Sequence, residues 1–419
     1  MTQKKHLKQI EVRKNLARFN TLLAGRRGGK TQFIVEDILE NVPIMPAKSD
    51  IFYIGPTNQH AVELVWDKLA ERMTEMRWRV WPKISKQAFE FSEGRKLFII
   101  GAEKISRIRG HKVFRLYMDE IAYFNTSLET VWKAARPALA DLKGGCIAAT
   151  TPNGKGTNAY DFYLWTKQQK EWRAHHWHTL DNPFIDQDEI EAAKESMDEK
   201  AFNQEYMATW ESYEGLCYYN FDENLHISKC SKILHDVQSI DICMDFNVNP
   251  TTLLVAQKTP ATTLQFKKEY SLKNSSTLKT AENFCLDFKD YRTSHIIDIY
   301  GDASGDNRDS GTGFSDYYYL EKTLEKNGFR FRRRTPKANP SQIDRVAHVN
   351  SYLKNVYGDT KIEIDPSCKE LIRDLSSQEL EGRIPSDKNN LGHKADAFGY
   401  RIYFDHLMGA RKPTTTIQL

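Results

Sequence analysis

Lys30 and Thr31 close the run Ala24-Gly25-Arg26-Arg27-Gly28-Gly29-Lys30-Thr31, and these residue types in this order can hold a phosphate. The glycines let consecutive backbone N–H groups turn toward an anion. Lys30 adds a point charge at the β- and γ-phosphates, and Thr31 offers a hydroxyl to Mg2+. Ala24 stands where a leading glycine is usual. Leu22 and Leu23 ahead of the run and Phe33, Ile34, Ile38 and Leu39 behind it predict a strand, a loop and a helix. Further on, Val113 to Met118 reads as a mostly apolar strand that delivers Asp119 and Glu120 at its end. In nucleotide hydrolases a first acid holds Mg2+ and a second orients and deprotonates the attacking water, and Asp119 and Glu120 suit those roles. The transferring phosphoryl group also needs positive charge. Arg26 and Arg27 lie inside the loop and Arg136 follows the acids; Arg27 is expected to act in cis and Arg136 in trans. Thr150 and Thr151 follow the buried-looking strand Cys146 to Ala149 and should emerge beside the phosphates. The expected ATP-binding set is thus Gly25, Arg26, Arg27, Gly28, Gly29, Lys30, Thr31, Asp119, Thr150 and Thr151, with Mg2+ at Thr31 and Asp119.

A second set of acids lies in the other half of the chain. Asp245 follows Ile242-Cys243-Met244, Asp302 follows Ile299-Tyr300-Gly301, and Asp396 stands between Ala395 and Ala397. Carboxylates carried to one end of a sheet by separate elements can hold two hard divalent cations, Mg2+ or Mn2+, for in-line phosphodiester cleavage. A lone Asp is more often a turn residue or a helix cap. Asp396 resists that account, because an acid among Ala395, Ala397 and Phe398 would otherwise sit on a packing face. Glu269, ending a strand, could complete the metal shell; Asp298 and Asp306 are lesser candidates. His175, His176 and His178 lack a thiol or acid at ligand spacing and read as structural.

The elements that carry these residues fall into two series. Up to about residue 180, short apolar runs (Ile51 to Ile54, Leu97 to Ile100, Val113 to Met118, Cys146 to Ala149) alternate with helical stretches such as Ala61 to Met73. That alternation predicts a parallel α/β sheet with ligands at the carboxyl ends of its strands. A charged, helical stretch and a mixed one form a connector over 186–235. Successive strands from Ile240, followed by helices at Ser341 to Lys354 and Cys368 to Leu375, predict a separate mixed-sheet domain over 236–419. The first domain then covers 1–185.

A chain of 419 residues, 40% apolar and 28% charged, suits two or three folded domains rather than disorder. The net charge is only +4, but cations cluster at Lys4, Lys5 and Lys8, at Arg107, Arg109 and Lys112, and from Arg330 to Arg334, which points to a polyanionic partner. The six cysteines are scattered with no C-x-x-C pair, as suits a reducing compartment. Met1 to Asn15 lacks the apolar core of a signal peptide and no apolar run approaches the length of a membrane span, so a cytosolic protein is expected.

The order of these motifs resembles the large terminase subunit of tailed phages, over most of the chain. The match comprises the Arg-rich loop Gly25 to Thr31, Pro56-Thr57-Asn58-Gln59, Arg109-Gly110 ahead of the Asp119-Glu120 strand, Thr150-Thr151-Pro152, Asp181-Asn182-Pro183-Phe184 and Gln204-Glu205-Tyr206. Asp245, Asp302 and Asp396 occupy the three acidic positions of that family's nuclease. The resemblance implies a P-loop packaging ATPase followed by an RNase H-like nuclease, working in the cytoplasm of the infected bacterial host. It further implies a homo-oligomeric ring on the portal protein, a small terminase subunit as partner, double-stranded DNA as substrate, and no membrane. Gln9 is the candidate for the family's glutamine near the adenine. Two other readings share the motifs. A helicase or repair ATPase with a fused nuclease would unwind forked DNA, and a non-catalytic ATP-switched DNA-binding assembly protein would show no metal-supported cleavage.

Overall fold

The computed structural model describes residues 6–246, 251–272, 275–308, 313–382, 384–386, 388 and 391–410. The chain divides into two compact units, one made of residues 1–191 and 200–212, the other of 192–199 and 213–419. The stretch 186–235, expected as a connector, is therefore shared between them.

In the first unit eight strands form one sheet: β1 (Phe19–Ala24), β2 (Asp50–Gly55), β3 (Trp81–Lys83), β4 (Ala88–Glu90), β5 (Lys96–Gly101), β6 (Val113–Asp119), β7 (Gly145–Thr150) and β8 (Trp172–Trp177). Their order is β3-β4-β5-β2-β6-β7-β1-β8, parallel throughout except for the β3–β4 hairpin, which lies antiparallel on β5. The apolar runs of β1, β2 and β7 are buried at every position, as a sheet covered on both faces requires. Alternate residues serve opposite faces. Leu22, Ile51, Tyr53, Ile99, Tyr117 and Ile147 pack under α2 (Lys30–Asn41) and α3 (Asn58–Glu75), the helices that follow α1 (Leu7–Lys14). Phe19, Phe52, Ile54, Ile100, Leu116 and Cys146 pack under α4 (Leu128–Ala138) and α5 (Asn158–Gln168). The helices α6 (Gln187–Ser196), α7 (Glu199–Glu205) and α8 (Glu223–His226) follow.

The second unit carries a mixed sheet of β9 (Ser239–Asp245), β10 (Thr251–Lys258), β11 (Leu264–Leu272), β12 (Ile296–Gly301), β13 (Arg330–Arg333) and β14 (Ile362–Ile364), in the order β13-β12-β9-β10-β11-β14. β9 runs antiparallel to β10 and parallel to β12. Ile240, Ile242, Met244, Ile297 and Ile299 face α9 (Thr277–Asp287) and α10 (Asp316–Lys326). Cys243, Tyr300 and Leu254 face α11 (Gln342–Leu353), α12 (Lys369–Ser377) and α13 (His393–Ala410). The period of two then decides which acids meet. Asp245 shares its face with Cys243 and Asp302 shares its face with Tyr300, so both strand-end acids project on the side that carries α13.

Candidate functional site

The phosphate loop follows the carboxyl end of β1. Gly29, with φ +86°, precedes α2 in the left-handed region, and no side chain caps the helix. The backbone N–H groups of Gly29, Lys30 and Thr31 have no acceptor among the described residues, which leaves a helix N-terminus open to an anion. The loop is braced from behind. Trp177 donates its indole N–H to the Gly28 carbonyl at 2.7 Å, Thr179 donates to Arg26 at 2.7 Å, Asn182 to Arg27 at 2.8 Å and Gln9 to Gly29 at 2.9 Å. A side chain at Gly25 would collide with Thr179 and with the Tyr206 carbonyl. Gln9 is thus engaged with the loop backbone, its other amide atom accepting from the His6 N–H.

Lys30 is buried, and its ammonium donates to the carbonyls of Ala24 (3.1 Å) and Gly25 (3.2 Å) and to the Thr151 hydroxyl (2.6 Å). Burial pushes its pKa down, against the pull of Glu120, Asp119 and Glu205. Asp119, fully buried, accepts from the Thr31 hydroxyl at 2.8 Å, the Tyr53 hydroxyl at 3.0 Å and the Glu120 N–H at 3.0 Å. Tyr53 and Asp119 meet because β2 and β6 are neighbours and both side chains point to the α2 face. Glu120, at φ +54°, turns away from the strand. Burial raises its pKa, Lys30 opposes this and Asp119 adds to it. A carboxylate so placed can take a proton from water more readily than an exposed one. Thr150 accepts from the Ala122 N–H at 3.2 Å, which ties the end of β7 to the segment after Glu120. A cavity of about 600 Å3 adjoins the loop, lined by Arg26, Arg27, Thr179, Phe184, Ile185, Asp186, Glu189 and Tyr206. Free N–H donors, a buried lysine and a hydroxyl beside an acid fit a nucleotide triphosphate and its cation.

The arginines separate. Arg26 and Arg27 are exposed at the loop, Arg26 lying 4.0 Å from Glu205. Arg136 is elsewhere: it donates to Glu171 at 3.2 Å and lies over the Phe19 ring at the amino end of β1, one strand length away from the phosphate loop. The chain's own fold gives Arg136 a packing and ion-pair role.

In the second unit, Gly301 pairs with Met244, so Asp302 and Asp245 stand side by side at the ends of β12 and β9. Asp396, in the first turn of α13, has its pKa raised by burial first and by the neighbouring charge of Asp245 second. Each acid already has protein partners. Asp245 pairs with His393 at 3.0 Å, and this pairing raises the pKa of the histidine. Asp302 accepts from Asn339 at 2.8 Å and from the Tyr400 hydroxyl at 3.3 Å. Asp396 is held by the buried Arg345, yet burial still lifts its pKa to about 6. Among the described residues no three His, Cys, Asp or Glu side chains converge into a ready-made metal cluster. The three hard oxygen donors suit Mg2+ or Mn2+ in kind, while Arg345 and His393 supply the opposing charge in this arrangement.

Glu269 is corrected by the structure. Its two carboxylate oxygens accept from the backbone N–H groups of Glu370 and Leu371, each at 2.9 Å, so it closes the N-terminus of α12 instead of joining the acidic trio. The cationic run at Arg330 to Arg334 is also internally matched: Arg332 binds Asp298 through two bonds of 2.7 Å, Arg334 lies 3.6 Å from Asp298, and Arg333 pairs with Asp306. Asp298 is thereby accounted for as a partner of β13. His175 contacts Asn20 and His176 contacts two backbone carbonyls, in line with a structural reading. Sequence reasoning missed Tyr53, His393, Arg345 and Tyr400. His393 and Tyr400 carried a local signal, standing three residues before and four after Asp396 and so on the same helix face.

A phosphate loop on a parallel sheet, followed by a mixed RNase H-like sheet with acids at its strand ends, defines a P-loop ATPase joined to a nuclease-type domain. Residues 21–225 match the family model for the N-terminal part of terminase large subunits of the T4-like virus type. The chain is 21% identical to the large terminase subunit of Escherichia phage T5 over 408 residues, which cover 92% of this chain and 86% of that protein. In fold it is similar to the large terminase of a thermophilic bacteriophage, with a TM-score of 0.59, 16% identity and coverage of 96% of this chain and 98% of the other. A second structure of that thermophilic phage protein, in complex with ATP-γ-S, aligns with a TM-score of 0.58 at 17% identity, covering 95% and 98%. Over most of its length the chain is thus similar to the large terminase subunits of tailed phages. No helix among the described residues is long and apolar enough to cross a membrane.

Proposed function

We propose that the first unit binds and hydrolyses ATP with Mg2+ to drive translocation of double-stranded DNA into the procapsid, and that the second unit cleaves concatemeric DNA with Mg2+ or Mn2+. The convergence of Lys30, Thr31, Asp119 and Glu120 around an uncapped helix N-terminus carries the first part. Gly25 to Thr31 would cradle the phosphates, Thr31 and Asp119 would hold Mg2+, and Glu120 would take the proton of the attacking water. Arg27, exposed in the loop, would serve the γ-phosphate in the same chain beside Lys30, and Arg136, assigned to a neighbouring subunit's site, would first have to leave Glu171. Thr150 and Thr151 link Lys30 to the segment after Glu120, a route from nucleotide state to backbone position. ATP-γ-S in the thermophilic phage relative supports the nucleotide assignment.

For the second unit, the adjacent strand-end acids Asp245 and Asp302, with Asp396 facing them, support a metal-dependent nuclease. Bound cations there would stabilise the attacking and leaving oxygens of the phosphodiester. His393 and Arg345 orient Asp245 and Asp396. A portal protein and a small terminase subunit as partners, a homo-oligomeric ring and the cytoplasm of the infected host would follow from the likeness to large terminase subunits.

The test is a crossed assay. Glu120→Gln should lower ATP turnover by about 10^2- to 10^4-fold, the range for loss of a general base, and leave Mn2+-dependent cleavage of duplex DNA intact. Asp302→Ala should do the reverse. Loss of both activities in both variants would overturn the division of labour.

A further inference from the structure

We propose that the β3–β4 hairpin of the first unit is a grip for the backbone of duplex DNA. The inference rests on the packaging reading above and names the surface that meets the substrate. From Arg77 to Ala88 the chain reads RWRVWPKISKQA, with four cations and no acid. Arg77, Arg79, Lys83 and Lys86 are all exposed. Arg107 joins them, its guanidinium donating to the Lys86 carbonyl at 3.3 Å. None of these five cations has an ion-pair partner among the described residues. Of the acids near them in sequence, Glu75 is taken by Arg72, Glu93 by Arg95, and Glu103 by the Asn58 N–H, while Glu90 sits half-buried on β4 opposite Trp81.

The contrast with Arg330 to Arg334 sharpens the argument. That run is denser in sequence, but three of its four arginines are engaged by Asp298 and Asp306. The hairpin cations are unmatched, which makes them available to phosphates. Trp81, 43% exposed, lies beneath Arg79 at 5.7 Å and stiffens the platform. β3 is the edge strand, six strand positions from β1, so the hairpin stands about 29 Å along the sheet from the phosphate loop. It is therefore not part of the nucleotide site. A duplex backbone, with its dense and regular negative charge, is the polyanion of the packaging reaction, and sequence-independent contact with it needs cations alone.

An edge strand also carries Lys, Arg and Pro merely to prevent sheet-to-sheet aggregation, and Pro82 fits that account. Charge reversal separates the two roles, because glutamate protects an edge as well as lysine does. The triple variant Arg79→Glu/Lys83→Glu/Lys86→Glu in the full chain should stay soluble and keep its DNA-independent ATPase rate. Its affinity for a duplex of random sequence should fall at least about tenfold at 0.1 M KCl, and the slope of log K against log [KCl] should shrink by roughly 2.7, at 0.9 per lost phosphate contact. The triple reversal Lys268→Glu/Lys322→Glu/Lys388→Glu, at paired cations of the second unit, controls for net charge and should alter the slope little. An unchanged slope in the triple variant, with the unaltered protein binding DNA, would overturn the hairpin assignment alone. Failure of the unaltered protein to bind duplex DNA at low salt would overturn the packaging reading with it.

Discussion

The two carboxylate centres are built on the same plan and finished differently. Each unit carries acids to the carboxyl ends of parallel strands, β6 in the first and the neighbours β9 and β12 in the second, and each buries one of them, Asp119 and Asp245. Around Asp119 the compensating groups are mostly neutral hydroxyl and amide donors from Thr31, Tyr53 and Glu120, with Lys30 as the single cation. Around Asp245 and Asp396 the compensation is ionic, through His393 and Arg345. A hydroxyl donor leaves the negative charge of a carboxylate available to a cation, whereas an arginine competes for it. The fold therefore fixes where the acids stand in both units, and the partners decide how open each site is to a metal.

The largest effect expected from this difference is a pH dependence of the second unit set by Asp396. Burial holds Asp396 at about 6, against an ordinary 3.8, despite Arg345. The folded state thus binds the proton more tightly than the unfolded chain. The contribution of this group to stability is complete below the unfolded pKa and is lost as pH rises through about 6, a loss of about 3 kcal/mol. His393, raised by Asp245, acts in the same direction at higher pH. Urea denaturation in EDTA between pH 4 and 7 should show stability of the second unit declining, and Asp396→Asn should flatten the curve. Mn2+ should restore the loss above pH 6, since metal binding favours the deprotonated acid. Stability that rises with pH over this window would mean that the Arg345 pairing outweighs burial, and the contrast between the units would fail.

A smaller effect compares the two tyrosines. Tyr53 donates to Asp119 at 3.0 Å from full burial, and Tyr400 donates to Asp302 at 3.3 Å in a partly exposed setting. Removing a buried hydroxyl from a carboxylate costs about 1–3 kcal/mol. Tyr53→Phe should lie in that range and raise the Mg2+ concentration needed for ATP turnover, because Asp119 loses one of the donors that orient it toward Thr31. Tyr400→Phe should cost less than about 1 kcal/mol. Equal losses, measured by chemical denaturation, would erase the proposed difference in how the acids are held.

The residues that the sequence made legible are those whose position depends on local order. The phosphate loop carries its strand, turn and helix within one short run, and Asp119, Asp245 and Asp302 are recognisable because an apolar strand ends at each. The parallel sheet and the mixed sheet were legible for the same reason: their strands are continuous apolar runs bounded by turns. What the sequence hid depends on register and packing between distant segments. Tyr53 reaches Asp119 only because β2 lies beside β6, and Asp298 reaches Arg332 only because β13 pairs with β12. The β3–β4 hairpin went unread because each strand is three residues long and β3 is exposed. Arg136 follows the acids in sequence, but its helix carries it to the amino end of the sheet.

Glu269 gives the finest discrimination between structural and catalytic acids. In sequence it reads like Asp245, but it lies within β11, three residues before its end, and its partners are the first free N–H groups of α12, with the partial positive charge of a helix N-terminus behind them. Glu269→Gln keeps the shape, retains one acceptor and loses the charge, so it should cost about 1 kcal/mol of stability, the scale of a lost helix cap. Cleavage by the second unit should be unchanged, as should its Mn2+ dependence. A metal ligand would behave in the opposite way, with cleavage falling by orders of magnitude while stability barely moved. Measuring the denaturation midpoint and the Mn2+ titration of cleavage on the same preparation separates the two. The first pattern keeps the ionic centre of the second unit to Asp245, Asp302 and Asp396, and the second would enlarge it by one strand.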